Sequence, residues 1–276
     1  MNLSQLLDTL KADDRFLRNV NRWEVIPPEA GRYAPFPESL DDRLRDVFAA
    51  RGIEQLYSHQ AEAVALAKAG KSFVVPTPTA SGKTLCYNLP VIDRILEDPQ
   101  ARALYLFPTK ALSQDQMHEV HGLVTDLGVD IKTYTFDGDT PETARRAIRS
   151  SGHIVVTNPD MLHQGILPHH TLWVKLFENL KYVVVDEVHQ YRGVFGSHVA
   201  NVLRRLRRVA EFYGSSPQFI CCSATIANPR ELASRLTGLD MEEVADNGAP
   251  RGEKHFIFYN PPVVNRELGI RQSVIK

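Results

Sequence analysis

From residue 72 onward, short apolar runs alternate with stretches long enough for amphipathic helices, and this alternation constrains the fold more than any other feature. The runs are 72–76, Ala103–Phe107, Ile131–Thr135, His153–Thr157, Tyr182–Asp186 and Gln218–Cys222. Several are continuous in apolar residues instead of alternating with polar ones, which suits strands covered on both faces. Helical spacing occupies 84–97, 110–127, 140–150, 195–213 and 229–237. Strands alternating with helices in this way predict a doubly wound α/β fold on a mostly parallel sheet, with ligands at the strands' C-terminal ends.

Two segments leave strands at such ends. The first is Pro76–Thr84, reading PTPTASGKT. A strand, a small-residue loop ending Gly-Lys-Thr and then a helix is an arrangement that holds a nucleoside triphosphate. The loop amides face the phosphates and the helix N-terminus adds positive dipole. Here Thr79, Ala80, Ser81 and Gly82 line the loop, Lys83 reaches the β and γ phosphates, and the Thr84 hydroxyl takes Mg²⁺. The strict P-loop pattern asks for glycine where Thr77 stands, so on that pattern the match is partial. The second segment is Val183 to His189, reading VVVDEVH. A carboxylate emerging from a buried strand suits Mg²⁺, and its neighbour suits deprotonation of an attacking water. Asp186 is therefore the metal candidate and Glu187 the general base. The competing bland readings are a solvated Gly-Lys-Thr turn and a pair of loop acids.

Composition narrows the partners. The chain has 276 residues, 43% hydrophobic and 24% charged, enough for a sizeable core. A formal net charge of −1 argues against a uniformly basic coat, so a nucleic-acid site has to be a local patch. Cys86, Cys221 and Cys222 form no CxxC spacing, which argues against a disulfide framework or a zinc site. No basic-then-apolar leader opens the chain, and no run of about 18 apolar residues occurs. No membrane partner and a reducing cytoplasm are expected.

Together the Gly-Lys-Thr loop and the Asp-Glu-Val-His box resemble superfamily 2 helicases of the DEAD/DEAH-like group. Further motifs follow in that family's order. Tyr57-Ser58-His59-Gln60 resembles the adenine-reading Q motif, which implies that Gln60 bonds the base edge. Pro108-Thr109-Lys110-Ala111-Leu112 resembles motif Ia and Thr157-Asn158-Pro159-Asp160 motif Ib, both of which contact the nucleic-acid backbone in the family. Phe136-Asp137-Gly138-Asp139-Thr140 lies where the family has another strand-contacting loop. Ser223-Ala224-Thr225 resembles motif III, which couples hydrolysis to strand movement, with His189 as the implied partner. Thr79-Ala80-Ser81 stands where DEAD-box RNA helicases commonly have Thr-Gly-Ser, and tilts away from them.

A closer resemblance is to bacterial MrfA-type DNA-repair helicases and their fungal Hrq-like relatives. It rests on LYSHQ, PTPTASGKTLCYNLP, ALYLFPTKALSQDQ, TNPDMLH, YRGVFGSHVANVLRRL and SATIANPREL, and spans nearly the whole chain. It implies a RecA-like domain with P-loop NTPase architecture, ATP and Mg²⁺ as cofactors, DNA as partner, 3′→5′ movement and a repair role. In that family a second RecA-like domain and a C-terminal zinc-binding module follow. No Gln-x-x-Gly-Arg-x-x-Arg pattern occurs after Thr225, so the arginines that close the ATP site are expected to be missing. An arginine finger contributes roughly 10³–10⁵ in rate in related phosphoryl transfers. The expectation is a fragment that binds ATP–Mg²⁺, hydrolyses it poorly and does not unwind DNA alone. Two alternatives stay open: part of an RNA-remodelling helicase, and a nucleotide-gated nucleic-acid binding module without turnover.

The expected organisation is a helical extension and linker over 1–50, a RecA-like domain over 51–255 and an exit linker over 256–276. Pro27, Pro28, Pro35 and Pro37 make 23–38 read as an extended surface segment. Ser39 with Asp42 reads as a capping box for the next helix. Arg204, Arg205, Arg207 and Arg208, and Arg145, Arg146 and Arg149, offer basic faces for DNA, with solvated or docking faces favoured. His118, His121, His163, His169 and His170 lack carboxylate or cysteine company at ligand spacing, so packing is the default. Trp173 and Phe177 read as core anchors.

Overall fold

The computed structural model describes residues 2–265 and 267–272. It divides into two compact units, Arg32–Ala249 and Met1–Gly31 with Pro250–Lys276.

The larger unit is built on a seven-stranded sheet. In chain order its strands are β1 (Phe73–Val75), β2 (Arg102–Leu106), β3 (Thr133–Thr135), β4 (Ile154–Thr157), β5 (Leu180–Val185), β6 (Gln218–Cys222) and β7 (Glu242–Glu243). They lie in the order β7-β1-β6-β5-β2-β4-β3, and every pairing is parallel. The longer helices are α1 (Asp42–Ala50), α2 (Ser58–Lys68), α3 (Lys83–Glu97), α4 (Lys110–Leu127), α5 (Glu142–Ser151), α6 (Gly193–Phe212) and α7 (Pro229–Thr237). The doubly wound parallel class is thus observed. β3 begins two residues later than the run starting at Ile131, and helix ends shift by one or two residues.

Two apolar clusters fill the unit, one on each side of the sheet. Phe73, Val75, Tyr105 and Ile220 face Phe48, Val64, Tyr87 and Ile92. Val74, Leu104, Val183 and Phe219 face Trp173, Phe177, Val199 and Leu203. Successive strand residues thus serve opposite layers, which is why the runs are continuously apolar. Trp173 and Phe177 are fully buried, and Trp173 meets the edge of Phe136 at 4.9 Å.

The smaller unit departs from the sequence reading. Val20–Ile26 is a strand, paired antiparallel with Lys254–Tyr259. Trp23 donates its indole N–H to His255 Nδ1 at 2.9 Å, and Phe16 stacks on Tyr259 at 5.1 Å. The segments read as surface extension and exit linker thus form one unit, and residue 50 closes α1 within the larger unit instead of marking a boundary. Prolines at 27 and 28 end this strand without preventing it. Its partner lies more than 200 residues away in sequence, where no local pattern reveals it. The cap of α1 is also corrected: Asp41, not Ser39, accepts the Arg43 N–H at 2.9 Å.

Candidate functional site

β1, β6 and β5 are adjacent, and their register sets Val75 opposite Cys222 and Cys221 opposite Val185. The segments that follow, Pro76–Thr84, Ser223–Thr225 and Asp186–His189, therefore leave the sheet side by side at its C-terminal edge. Residues far apart in sequence meet there because strand order, not chain order, sets neighbours.

The first loop wraps around the lysine. Lys83 Nζ donates to the carbonyls of Thr77 at 2.8 Å and Ser223 at 3.0 Å. Thr77, which stands in place of glycine, is buried, and its hydroxyl meets that of Ser81 at 2.7 Å. This departure from the strict pattern therefore supplies a bond that braces the loop. Thr79 and Ala80 are exposed at its crest, and Thr84 lies half-buried in the first turn of α3. Ala80 and Gly82 take left-handed conformations, φ 60° and 76°. For alanine this costs on the order of 1 kcal/mol. At Gly82 a side chain is excluded twice, since a Cβ would also lie 2.6 Å from Gln60 Nε2.

Behind this loop stands the Tyr57–Gln60 segment, opening α2. Gln60 Oε1 accepts the Tyr57 N–H at 2.9 Å, while Nε2 donates to the Gly82 carbonyl at 2.9 Å. Its amide is thus bonded at both ends within the protein, with one N–H of Nε2 left over. Tyr33, Gly52, Ile53, Tyr57, Gln60 and Leu85 line a cavity of about 390 Å³ beside it. Tyr33 and Tyr57 face one another across 5.4 Å. His59 is fully buried, and its Nε2 meets the Ser81 carbonyl at 3.0 Å. Sequence reasoning assigned no role to His59 and read Tyr33 only as an anchor of the extended 23–38 segment. Only the adjacency of His59 to Gln60 could have drawn attention to it.

The acidic segment is electrostatically poised. Asp186 Oδ1 accepts the Glu187 N–H at 2.7 Å. Burial pushes the Asp186 carboxyl up to about 6; the Glu187 N–H bond opposes the rise, the Glu187 charge adds to it and Lys83 opposes it more weakly. Glu187 sits in a left-handed conformation at φ 54°, which turns the chain sharply after the strand. Its Oε2 lies 3.2 Å from His189 Nδ1. The same nitrogen accepts the Ala224 N–H at 3.1 Å. One nitrogen satisfies one of these partners at a time: unprotonated it serves Ala224, protonated it serves Glu187. His189 thereby joins the acidic segment to the Ser223–Thr225 loop. Among the described residues the buried Ser223 Oγ has no hydrogen-bond partner, and Thr225 is exposed.

These groups fit a triphosphate and a magnesium ion. The left-handed loop, the lysine resting on carbonyls, the desolvated carboxylate and the unpartnered Ser223 hydroxyl each suit an anion–cation pair. Among the described residues, no three His, Cys, Asp or Glu cluster to hold a metal unaided. Magnesium ordinarily takes only one or two protein ligands beside phosphate, so the absence of such a cluster does not count against it.

The residues given nucleic-acid contacts lie at the ends of β2, β3 and β4. The Thr109 hydroxyl caps α4 by accepting the Leu112 N–H at 3.4 Å, and Lys110 forms an ion pair with Asp139. Gly138 is exposed and has open space where a side chain would be. Asn158 caps the short helix Pro159–Met161, and Asp160 is exposed. Thr157 differs: it is buried, and its hydroxyl donates to the Phe136 carbonyl at 2.6 Å, so its side chain faces the protein.

The basic clusters divide by partner. Arg145 donates to the Thr140 carbonyl at 2.8 Å and covers the Phe136 ring, bracing the Asp137–Thr140 loop. Arg204 and Arg207 donate to the carbonyls of Arg235, Thr237 and Gly238, capping the C-terminus of α7. Arg207→Ala is expected to cost about 1 kcal/mol of unfolding free energy through this cap, measurable by urea denaturation. His170 shares a hydrogen bond of 2.9 Å with the Tyr213 hydroxyl.

A P-loop-like cradle, a desolvated Asp186 beside a partly exposed Glu187 and the Ser223–Thr225 loop meet on one parallel sheet, which is the architecture of a RecA-like helicase domain. The DEAD/DEAH box helicase model matches residues 57–232, and the chain belongs to that family. The ATP-dependent helicase YprA of Bacillus subtilis is 58% identical over 99% of this chain and 36% of its own length. The ATP-dependent helicase hrq1 of Schizosaccharomyces pombe is 41% identical over 96% of this chain and 26% of its own. A crystal structure of the helicase MrfA bound to DNA and AMPPNP is 57% identical, with a TM-score of 0.93 over 99% of this chain and 37% of that one. The chain therefore spans between about a quarter and two fifths of the length of these relatives. Among the described residues no helix is long and apolar enough to cross a membrane.

Proposed function

We propose that this chain is the ATP-binding motor half of an ATP-dependent 3′→5′ DNA helicase that acts in DNA repair. One observation carries the nucleotide part: Lys83 spans the carbonyls of Thr77 and Ser223 while Asp186, on the adjacent strand end, lies desolvated. A triphosphate would replace those carbonyls as the partner of Lys83. Loop amides from Thr79 to Gly82 and the α3 N-terminus would meet its oxygens. Thr84 and Asp186 would hold Mg²⁺, which when bound neutralises charge on the phosphates. Glu187 orients and deprotonates the attacking water, and its link to His189 and the Ser223–Thr225 loop carries the result toward the nucleic-acid side. The cavity beside Tyr33, Tyr57 and Gln60 suits a purine base, with the free N–H of Gln60 facing its edge.

For the nucleic acid, the loops that follow β2, β3 and β4 emerge from neighbouring strands at the C-terminal edge of the sheet, with Thr109, Lys110, Gly138, Asp139 and Asp160 exposed. Thr109, Lys110, Gly138, Asp139, Asn158 and Asp160 are the proposed contacts, and Thr157 anchors the start of the Asn158 segment through its bonds to Phe136 and Phe107. MrfA, the relative solved with DNA, supports DNA over RNA. The second RecA-like domain and zinc-binding module expected from the resemblance are proposed partners of this half.

Lys83→Ala tests the nucleotide reading. Loss of at least tenfold in Mg²⁺·ATP affinity, with an unchanged melting temperature, is the expected result in titration calorimetry. Equal affinity in the variant would remove the loop from the site. Stimulation of ATP hydrolysis by single-stranded RNA but not DNA would replace the DNA assignment.

A further inference from the structure

We propose that His59 is a positioning residue for the phosphate loop: it clamps the Ser81 carbonyl and so aims the Gly82 amide into the cradle. The inference rests on the reading of Pro76–Thr84 as that cradle and assigns the group that sets its shape.

The geometry is a chain of backbone constraints. In a trans peptide the C=O and the following N–H point in opposite directions, and no cis peptide occurs among the described residues. His59 Nε2 lies 3.0 Å from the Ser81 oxygen, so it holds that carbonyl against α2 and turns the Gly82 N–H the other way. Gln60 does the same for the next peptide. Its Nε2 holds the Gly82 carbonyl at 2.9 Å and turns the Lys83 N–H outward. Two successive amides thus face one direction, the arrangement that makes an anion-binding nest.

The ring is itself held from behind. His59 Nδ1 accepts the Gly248 N–H at 3.1 Å, so Nε2 carries the proton and donates to Ser81. Burial lowers the ring's basicity and favours this neutral tautomer. Gly248 is itself buried and closely packed. Its carbonyl accepts the Arg32 N–H at 2.8 Å, and a Cβ on it would lie 2.3 Å from Ser58 Oγ. The line Gly248–His59–Ser81 therefore ties the cradle to backbone outside the loop, while the face of the ring stacks on Tyr57, a wall of the base cavity, at 5.8 Å.

Positioning of phosphates differs from reading of a base in what it discriminates. His59→Gln places an amide N–H near the Nε2 position, whereas the shorter His59→Asn leaves Ser81 without a donor. Wild type, both variants and Lys83→Ala are titrated with Mg²⁺ and ATP, GTP or tripolyphosphate. The expected result is a loss of about tenfold in affinity for all three ligands in His59→Asn. His59→Gln should stay within about threefold of wild type. Three outcomes would overturn the proposal: His59→Asn binding like wild type, equal losses in both variants, or a loss confined to ATP. If wild type binds none of the three, the cradle reading fails as well. Wild-type binding that is sensitive to Lys83→Ala but not to His59→Asn refutes the His59 assignment alone.

Discussion

In the full-length protein, Glu187→Gln is expected to leave Mg²⁺·ATP affinity within about twofold of wild type while slowing single-turnover hydrolysis by roughly 10²–10⁴. The residue sits at the end of the acidic strand, about a quarter exposed, in a left-handed conformation that directs its side chain toward His189 at 3.2 Å. Glutamine has the same shape, tolerates the same backbone and retains a hydrogen-bonding oxygen. It lacks only the ability to take a proton from water. The change therefore separates positioning from proton transfer. If hydrolysis continued at the wild-type rate, Glu187 would be cleared of the base role. A large loss of affinity would instead place it among the groups that hold the nucleotide.

Asp186→Asn is expected to make the protein more stable and less functional at once. In the wild type, burial drives the carboxyl up to about 6. A raised acid means that the folded state prefers the protonated form. The sign follows: the group's favourable contribution is complete below its unfolded value near 4, and is lost as pH rises through about 6. At pH 7 the ionised, desolvated carboxylate thus costs up to about 3 kcal/mol, less because its tip retains some solvent. Asparagine removes that cost and still accepts the Glu187 N–H. Urea denaturation should find the variant about 1–3 kcal/mol more stable at pH 7.5, with the difference closing toward pH 4–5. Magnesium-dependent ATP binding should fall at least tenfold. Equal stability at both pH values would show that the strand end is wetter than its geometry indicates. Such an opposition between stability and activity is common where a charge is held out of water for use.

Much of the larger unit was legible because its signals are local. Apolar runs, helical spacing and Gly-Lys-Thr each lie within a few residues, and Asp186-Glu187 follows directly on its strand. The smaller unit was not legible for the converse reason. Val20–Ile26 looks like part of a proline-rich linker until Lys254–Tyr259 supplies its hydrogen bonds. Thr157 falls between these cases. Its motif marked the neighbourhood, but a strand's last residue faces either side, and packing beside Phe136 turned this hydroxyl inward. The arginine cluster on α6 also looked uniform in sequence. Only the position of α7 assigned Arg204 and Arg207 to its carbonyls.

By itself the sequence determined the parallel α/β class and the chemical identity of the loop that follows β1, since both rest on residue types at short spacing. Tertiary structure alone decided what that loop's residues do to one another. Thr77 became a brace and not a defect because folding buried it beside Ser81. His59 acquired a role because the return of the chain from α2 through β1 carried Ser81 to one of its nitrogens and the later path of the chain carried Gly248 to the other. Hydrogen bonds between distant residues depend on direction and burial, and neither exists until the sheet has set its neighbours.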